Sequence, residues 1–236
     1  MDDESIDSGK RNFLKAMVVI SAGAAVAGVV KGVVQNILPP AVGLTAFPEL
    51  TLYFNGRPLA YSDIPPQETG NNIVLFDYPL SSEPNFLINV SDDNKNPISV
   101  DPVSVFIPAT GGTYNSPAGV GPYNSVVAFS AICQHLGCVP PIIHYYPAGS
   151  PAFPKYIHCN CHGSTYDPSK GAKVVTGPTT HPLPATVLKY DPLSGNFSVV
   201  GLTGPTIYGK TSDLTGGTPF PAGQTYTDVT VESING

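Results

Sequence analysis

The sequence predicts an all-β protein built from antiparallel sheets and preceded by one transmembrane helix. Glycine contributes 24 and proline 26 of the 236 residues, while charged residues make up only 12% of the chain, about half of the usual ~25%. Short apolar runs recur between turn signals from residue 50 onward, and one long apolar run lies near the amino terminus. This pattern is typical of strands and turns, so we expect little helix outside the amino-terminal segment.

The amino-terminal segment predicts an export signal and a membrane anchor. Residues 1–15 end in a basic run that resembles a twin-arginine signal with Lys10 in place of the first arginine. Residues 16–38 carry a single charge, and as a helix they would span about 34 Å, enough for a hydrocarbon core of ~30 Å. The positive-inside rule keeps residues 1–15 in the cytoplasm and the large carboxy-terminal part outside the cell membrane. A signal peptide cleaved near Ala24 is the alternative.

A hinge and one large domain are predicted to follow the anchor. Residues 39–47 lack helical periodicity and lie among prolines, which is typical of a tether. Residues 48–236 contain runs rich in β-branched and aromatic residues. The predicted strands are Leu50–Phe54, Ile73–Tyr78, Phe86–Val90, Val103–Ile107, Val126–Ile132, Thr186–Tyr190 and Phe197–Val200. The last two flank Asp191–Gly195, which has the residues of a hairpin turn.

Two short cysteine and histidine boxes carry the functional signal, and they contain all four cysteines of the chain. They read Cys133-Gln-His135-Leu-Gly137-Cys138 and, twenty residues later, Cys159-Asn-Cys161-His162-Gly163-Ser164-Thr-Tyr166. Each box offers one cysteine and one histidine that can reach a single metal centre from a loop. The pair left over could link the two loops as a disulfide if its Cα atoms lie within about 7 Å.

These boxes resemble those of high-potential Rieske iron–sulfur proteins, the subunits that oxidise quinol in cytochrome bc complexes and their relatives. The family pattern is Cys-x-His-x-Gly-Cys followed by Cys-x-Cys-His-Gly-Ser, and the chain matches every fixed position. The resemblance implies a Rieske-like antiparallel β-sandwich whose cluster-binding part covers about residues 125–185. It implies one [2Fe-2S] cluster with Cys133, His135, Cys159 and His162 as metal ligands, and a disulfide between Cys138 and Cys161.

Two imidazoles in place of two thiolates make such a cluster less negative and raise its potential, to roughly −150 to +300 mV. The resemblance also implies that Ser164 and Tyr166 donate hydrogen bonds to the cluster, one to a bridging sulfide and one to a cysteine sulfur. Without the resemblance, these hydroxyls are expected to satisfy backbone groups of their loop. Gly137 and Gly163 are expected to permit tight turns beside the cluster.

A proline-rich segment after the second box resembles the loop that covers the cluster in the family. It begins at Gly177-Pro178 and continues through Pro182 and Pro184, but it has Thr179-Thr180 where an Ala-Pro pair is common. His181 lies in this segment and could approach the path of a quinol.

The other two histidines belong to the gap between the boxes. His158 directly precedes Cys159, so strand alternation predicts that it points away from the cluster. His144 lies within residues 139–158, which we expect to form a surface loop. The aromatic residues of this gap, Tyr145, Tyr146 and Phe153, are expected to pack across the sheet, with contact to a partner as the alternative.

The resemblance implies the electron-carrier subunit of a quinol-oxidising respiratory complex, which is not catalytic alone. His135 and His162 would contact quinol through their free ring nitrogens, so that a proton and an electron leave together. The implied partners are quinol, a cytochrome b-type subunit, the membrane, and a cytochrome or copper protein as acceptor. The net charge of −6 and the absence of a basic stripe argue against a nucleic-acid surface.

Three other functions use the same ligand types. The small subunit of a periplasmic molybdenum oxidase, such as arsenite oxidase, shares the export signal and the extra cysteines. A Rieske ferredoxin or the Rieske component of an oxygenase generally lacks those cysteines, and an oxygenase also needs a two-histidine, one-carboxylate iron site. A structural zinc site is allowed by the ligand set alone, but it leaves Ser164 and Tyr166 without a role.

Overall fold

The computed structural model describes residues 47–64, 72–147, 149–208 and 218–233. The predicted export segment and membrane anchor, and the hinge up to residue 46, lie outside these ranges. Within the ranges, no helix has the length and apolar character needed to span a bilayer. The prediction of an all-β domain is confirmed for the described part, where the only helices are two short 3-10 turns, Tyr61–Asp63 and Pro168–Lys170.

Fourteen strands occur in the described residues. They are β1 (Leu50–Phe54), β2 (Arg57–Pro58), β3 (Asn72–Asp77), β4 (Pro84–Asn89), β5 (Val103–Ile107), β6 (Gly112–Ser116), β7 (Val126–Ser130), β8 (Ile143–Tyr145), β9 (Ile157–Cys159), β10 (Thr165–Asp167), β11 (Lys173–Thr176), β12 (Ala185–Tyr190), β13 (Phe197–Thr203) and β14 (Tyr226–Ser233). All seven predicted strands are present, with ends that differ by no more than a few residues.

Eight strands form the largest sheet, in the order β13-β12-β7-β4-β3-β14-β1-β2. Because β13 also pairs with β1, the strands from β13 to β1 close into a barrel. Every pair in this sheet is antiparallel except β1 with β14, where Leu52 lies opposite Thr227 in a parallel register. The expectation of purely antiparallel sheets is therefore wrong at this pair, because β14 returns from the far end of the chain to lie between β1 and β3.

Two further sheets complete the fold. Strands β11-β10-β9-β8 form a four-stranded antiparallel meander, which we call the cluster sheet, and β5 pairs with β6 as a hairpin. The cluster sheet corrects the prediction that residues 139–158 form a surface loop. That segment contains β8 and most of β9, and the side chains of Ile143 and Ile157 are fully buried. Strands of three residues are too short to show a periodic pattern.

Two hydrophobic cores lie on the two faces of the barrel strands. Along β3, Val74 and Phe76 belong to the first core, whereas Ile73 and Leu75 belong to the second. Strands β4 and β7 are buried almost throughout, which explains why they lack polar alternation. The second core also contains Tyr166 and other residues of the cluster sheet, so the barrel strands position that sheet directly.

Candidate metal centre

Two loops carry the residues of the cysteine and histidine boxes. Loop one, residues 133–138, follows β7, and loop two, residues 159–164, connects β9 with β10. A disulfide joins Cys138 to Cys161, whose Cα atoms are 6.9 Å apart. The pairing implied by the family resemblance is therefore present in the structure, and it brings the two loops together at one end of the fold.

The two loops share a backbone arrangement. In loop one, the N–H of Cys133 donates to the carbonyl of Cys138 and the N–H of Gly137 donates to the carbonyl of Cys133, both at 2.9 Å. In loop two, Cys159 donates to Ser164 and Gly163 donates to Cys159, also at 2.9 Å. Both glycines have positive φ, 78° and 87°, a region that other residues rarely adopt. Each motif thus closes its own loop.

The four candidate ligands lie together, with the cysteines inside and the histidines outside. Cys133 and Cys159 are free thiols, each only 1% exposed, and their side chains hydrogen-bond each other. The rings of His135 and His162 meet edge to face with centroids 4.9 Å apart. His135 is half-buried and His162 is exposed. The structure thus places the two thiols beside each other and the two imidazole rings beside each other.

Within the two loops, two buried side-chain atoms have no hydrogen-bond partner among the described residues, namely Nδ1 of His135 and the hydroxyl oxygen of Ser164. Leaving such groups unsatisfied costs about 1–3 kcal/mol each. A metal ion bound at Nδ1 and a sulfide that accepts from Ser164 would satisfy both. A lone zinc ion brings no sulfide, so it would satisfy only the histidine. These atoms therefore fit a [2Fe-2S] cluster held by two cysteines and two histidines.

The environment of Cys159 also favours a bound cation. Burial raises the pKa of the Cys159 thiol to about 11, although backbone N–H groups of Cys161 and His162 donate to its sulfur and oppose that rise. A thiolate at this position therefore needs positive charge beside it. His162 also lies within 4.8 Å of the sulfurs of Cys138 and Cys161. Those sulfurs are already bonded to each other, so they do not form a separate ion site.

Tyr166 lies against loop one. Its fully buried hydroxyl accepts a hydrogen bond from the N–H of Gln134 at 3.1 Å and lies 3.5 Å from the sulfur of Cys133. Because the N–H of Gln134 is the donor in the first contact, the proton of Tyr166 is available to the sulfur. Burial, followed by the charge of Cys133, raises the pKa of Tyr166 well above its ordinary value, so the hydroxyl keeps that proton.

The proline-rich segment predicted to cover the cluster lies against loop two. Gly177 has a φ of 96°, and a Cβ there would overlap the backbone of Gly163 and Ser164. The two segments therefore pack backbone against backbone, which only glycine permits. Two residues further on, the side chain of Thr179 is 5% exposed and faces inward.

A cleft of about 410 Å³ opens beside loop one. His135 and Gln134 line it on one side, the cover segment around His181 lines a second side, and residues 206–208 line a third. Sequence reasoning missed residues 206–208, which belong to no motif and lie some seventy residues after loop one. The ring of Tyr208 packs so closely on Gly137 that an added Cβ would lie 2.8 Å from it.

An aromatic residue of the segment 139–158, Phe153, is connected to loop two through the side chains of His158 and Thr165. Phe153 stacks on His158 with ring centroids 3.5 Å apart, and Nδ1 of His158 lies 2.8 Å from the hydroxyl of Thr165. That hydroxyl donates to the carbonyl of Gly163 at 3.3 Å. Phe153 thus packs on a side chain of the cluster sheet, although 38% of its own surface stays exposed. The partners of His158 are Thr165 and Phe153, in agreement with the alternation argument.

His144 lies opposite His158 in the cluster sheet. Its Nδ1 donates to the carbonyl of Pro141 at 2.9 Å, and its ring lies 4.2 Å from that of Tyr146. Burial lowers the pKa of His144. It is therefore a packed residue of the sheet, and burial disfavours its charged form.

Comparisons with known proteins agree with this geometry. A family model of the Rieske [2Fe-2S] domain matches residues 102–189. The cytochrome bc1 complex Rieske iron-sulfur subunit of Streptomyces lividans is 42% identical over 62 residues, which cover 26% of this chain and 32% of that subunit. The cytochrome b6-f complex iron-sulfur subunit of Cyanothece sp. is 27% identical over 172 residues, which cover 73% of this chain and 74% of that subunit.

A solved structure is also similar. The soluble domain of Rieske protein II from Sulfolobus acidocaldarius is 26% identical, with a TM-score of 0.53, and the match covers 80% of this chain and 94% of that one. The chain spans a third or less of the length of the Streptomyces relatives that it matches.

Proposed function

We propose that this chain, whose residues 102–189 form a Rieske domain that binds one [2Fe-2S] cluster, is the electron-transfer subunit of a membrane complex that oxidises quinol. The named relatives are subunits of cytochrome bc1 and b6-f complexes. The ligands in this proposal are Cys133, Cys159, His135 and His162. The cysteine pair outside the ligand set is disulfide-bonded, which favours this class over the ferredoxins and oxygenase components.

The orientation of His135 is the observation that carries the proposal. Its Nδ1 is buried without a protein partner, while its ring is half-exposed and lines the 410 Å³ cleft. A ligand bound through Nδ1 leaves Nε2 on the side of the cleft. His162 is exposed beside it. A substrate hydroxyl that enters from solvent can therefore meet an imidazole nitrogen.

In this proposal, the protein's own residues bind the quinol and remove a proton from its hydroxyl. A neutral Nε2 of His135 or His162 accepts a hydrogen bond from a quinol hydroxyl and then takes its proton. The cluster, when bound, supplies the one-electron acceptor. The buried Tyr166 hydroxyl and the orphaned Ser164 hydroxyl stand ready to donate to sulfur, and such donors favour the reduced state.

The surface around the two histidines suits a partner in the membrane. Exposed apolar side chains occur on both sides of the disulfide, at Leu136 (54% exposed), Val139 (45%) and Ile142 (48%). No Asp, Glu, Lys or Arg occurs from residue 131 to residue 154. An uncharged apolar patch of this kind is typical of an interaction site, and we assign it to a cytochrome b-type subunit.

The same proposal includes the cellular location. Residues 16–38 would anchor the chain in the cell membrane by a single span, and the cluster domain would lie on the extracytoplasmic side. The disulfide supports that side, because disulfides persist in oxidising compartments. A cytochrome or a copper protein would accept the electron there.

The test combines a redox titration of the purified full chain with rapid mixing of the complex isolated with its native partner subunits. An EPR signal of a reduced [2Fe-2S] centre and a midpoint within roughly −150 to +300 mV are expected. A short-chain quinol should then reduce the cluster rapidly when the chain is bound to its b-type subunit. Arsenite in place of quinol serves as the control. Reduction by arsenite alone would support the molybdenum oxidase instead, and zinc without an EPR signal would overturn the assignment.

A further inference from the structure

His181 is the one histidine that the metal centre and its supports do not use. The chain has five histidines, of which two are candidate ligands and two, His144 and His158, are buried in the cluster sheet. His181 lies in the cover segment and is only partly buried. Its side chain lines the 410 Å³ cleft together with the candidate ligand His135. Two imidazoles from distant parts of the chain therefore border one cleft.

The cover segment holds the backbone of His181 in a fixed place. The N–H of His181 donates to Oγ1 of Thr179 at 3.3 Å, and the hydroxyl of Thr179 donates to the carbonyl of His181 at 3.0 Å. The N–H of Ala109 donates to the carbonyl of Thr180 at 3.0 Å, which ties the segment to the turn after β5. Gly177 packs against the backbone of loop two. The wall of the cleft that carries His181 is therefore preformed.

The ring of His181 has one nitrogen in contact with the protein and one available nitrogen. Nδ1 lies 3.3 Å from the hydroxyl oxygen of Thr180. A proton on Nδ1 can be donated to that oxygen, which leaves Nε2 as a hydrogen-bond acceptor. Among the described residues, Nε2 has no hydrogen-bond partner. A hydroxyl group that enters the cleft can therefore donate to this nitrogen.

The other residues of the cleft suit an uncharged aromatic ring. Pro178, Ile207 and the ring of Tyr208 supply apolar surface, and none of the described residues that line the cleft is Asp, Glu, Lys or Arg. Apolar walls with a few polar groups, around a volume of ~300–1,000 Å³, are typical of sites for small organic ligands. Imidazole nitrogens on two walls match a ring that carries two hydroxyl groups.

We propose that His181 is a substrate-binding residue that determines specificity. Its Nε2 accepts a hydrogen bond from one hydroxyl of a hydroquinone ring, while the second hydroxyl meets His135. The inference rests on the quinol substrate of the proposed function and names the residue that selects it. A ring with a single hydroxyl group satisfies only one of the two imidazoles. Binding itself moves no electron, so it can be measured without turnover.

The experiment measures the binding of hydroquinone to the purified full chain. Dithionite keeps the cluster reduced, so no electron passes between hydroquinone and the cluster. The EPR line shape of the reduced cluster reports binding, because a hydrogen bond at His135 changes the surroundings of the iron. The monomethyl ether of hydroquinone is the comparison ligand, since it lacks one of the two hydroxyl protons. We expect the wild-type chain to bind hydroquinone about three- to tenfold more tightly than the ether, as one hydrogen bond provides.

Three variants locate the contact. His181→Leu removes the acceptor nitrogen, so hydroquinone and its ether should bind with nearly equal affinity, and the affinity for the ether should stay near the wild-type value. His181→Gln keeps a hydrogen-bonding group at a similar reach and should restore most of the preference. His144→Gln is the matched control, because it replaces a histidine outside the cleft, and it should keep the full preference.

The comparison of two ligands separates a direct contact from a structural role, in the manner of a double-mutant cycle. A residue that only shapes the cover segment would weaken both ligands equally when replaced. An equal loss in His181→Leu, or a preference retained there, would overturn the inference. A wild-type EPR signal that does not respond to hydroquinone would also overturn it. Because the cluster is already reduced, a failure of quinol oxidation in the complex leaves this result standing.

Discussion

The two loops that carry the candidate ligands have the same backbone but different supports. Each is closed by two hydrogen bonds of 2.9 Å and turns at a glycine with positive φ. Loop one is held by two tyrosines from outside its own box, Tyr166 and Tyr208. Loop two is held by the backbone of Gly177 and by the stack of Phe153 on His158.

This difference shows which loop contacts are made by the motif residues themselves and which are made by residues from elsewhere in the fold. The closing hydrogen bonds of each loop run between residues of its own box. The supports come from other strands and segments. The Tyr166 hydroxyl lies 3.5 Å from the sulfur of the candidate ligand Cys133. Phe153 is connected only to the carbonyl of Gly163, through His158 and Thr165. Substitutions in the supports of loop one should therefore change the midpoint potential of the cluster. Substitutions in the supports of loop two should change the stability of the fold.

The largest effect is expected where the two loops are joined. Replacing Cys161 with Ser removes the disulfide and frees the loops from each other, at a cost of about 2–4 kcal/mol. Thermal unfolding followed by the loss of cluster absorbance should show the decrease. Cys138→Ser is the matched control and should give the same decrease, as should the double replacement. Two free thiols in the native protein by mass spectrometry would contradict this account.

The glycines of the two loops should differ when each is replaced by alanine. Gly163→Ala forces a left-handed backbone at a cost of about 1–2 kcal/mol, and its Cβ would have no atom within 4 Å. Gly137→Ala carries the same strain and also meets Tyr208 at 2.8 Å, which adds about 1 kcal/mol or more.

Urea unfolding of both variants measures the difference. Adding Tyr208→Ala to Gly137→Ala should bring its cost down to that of Gly163→Ala. If Gly137→Ala is no worse than Gly163→Ala, Tyr208 does not support loop one.

Tyr166→Phe tests the support of loop one. It removes only the hydroxyl, and a hydrogen bond to a charged acceptor contributes roughly 1.5–3 kcal/mol. If part of that energy discriminates between redox states, the midpoint should fall by several tens of millivolts, since ~59 mV is a tenfold change. Quinol oxidation should slow as well, while the EPR signal stays nearly intact. An unchanged midpoint with normal turnover would make Tyr166 a packing residue.

Phe153→Leu tests the support of loop two. Loss of the stacked ring should cost about 0.5–1.5 kcal/mol, measured by thermal unfolding. The midpoint potential should remain unchanged, because Phe153 does not contact a candidate ligand. A shift as large as that of Tyr166→Phe would erase the distinction between the two supports.

The smallest effect concerns acid stability at His144. Burial lowers its pKa in the folded protein below the unfolded value of ~6.5. The unfolded chain therefore binds the proton more readily, so the stability contribution is full above pH ~6.5 and is lost as the pH falls through the lowered folded pKa. His144→Gln should flatten this part of the pH profile of stability. An NMR titration with a His144 pKa above 6.5 would contradict the sign.

The strands of the barrel could be predicted from the sequence because each is long enough to show its pattern. All seven predicted strands occur, and β1 and β5 have the predicted ends. The cluster sheet was missed because β8, β9 and β10 have three residues each, and their burial depends on the barrel. Strand β14 was missed because five of its eight residues are polar, and its place between β1 and β3 is set by long-range pairing.

The candidate site likewise contains residues that could be predicted from sequence motifs and residues that only the folded structure identifies. The two boxes contain every candidate ligand and the disulfide pair, because metal ligands and closing turns need fixed residue types at fixed spacing. Tyr166 belongs to the second box and was predicted with it, whereas the supports Tyr208 and Phe153 lie outside both boxes and are identified only by their contacts in the fold. Tyr208 belongs to no sequence motif. Thr179 is buried and Thr180 is exposed, a difference that two adjacent threonines in a sequence do not predict.

The parallel pairing of β1 with β14 has a mechanical consequence. Residue 47 leads directly into β1, which is hydrogen-bonded to β13 on one side and to β14 on the other. A pull on the chain at residue 47 acts along β1 and loads its hydrogen bonds to β13 and to β14 in shear. The force is therefore shared by neighbouring strands of the barrel. The buried residues of β1 belong to the first core, and Cys133 and Cys159 belong to the second. A pull at residue 47 is therefore carried by the barrel and the first core, whereas the candidate ligands Cys133 and Cys159 lie in the second core.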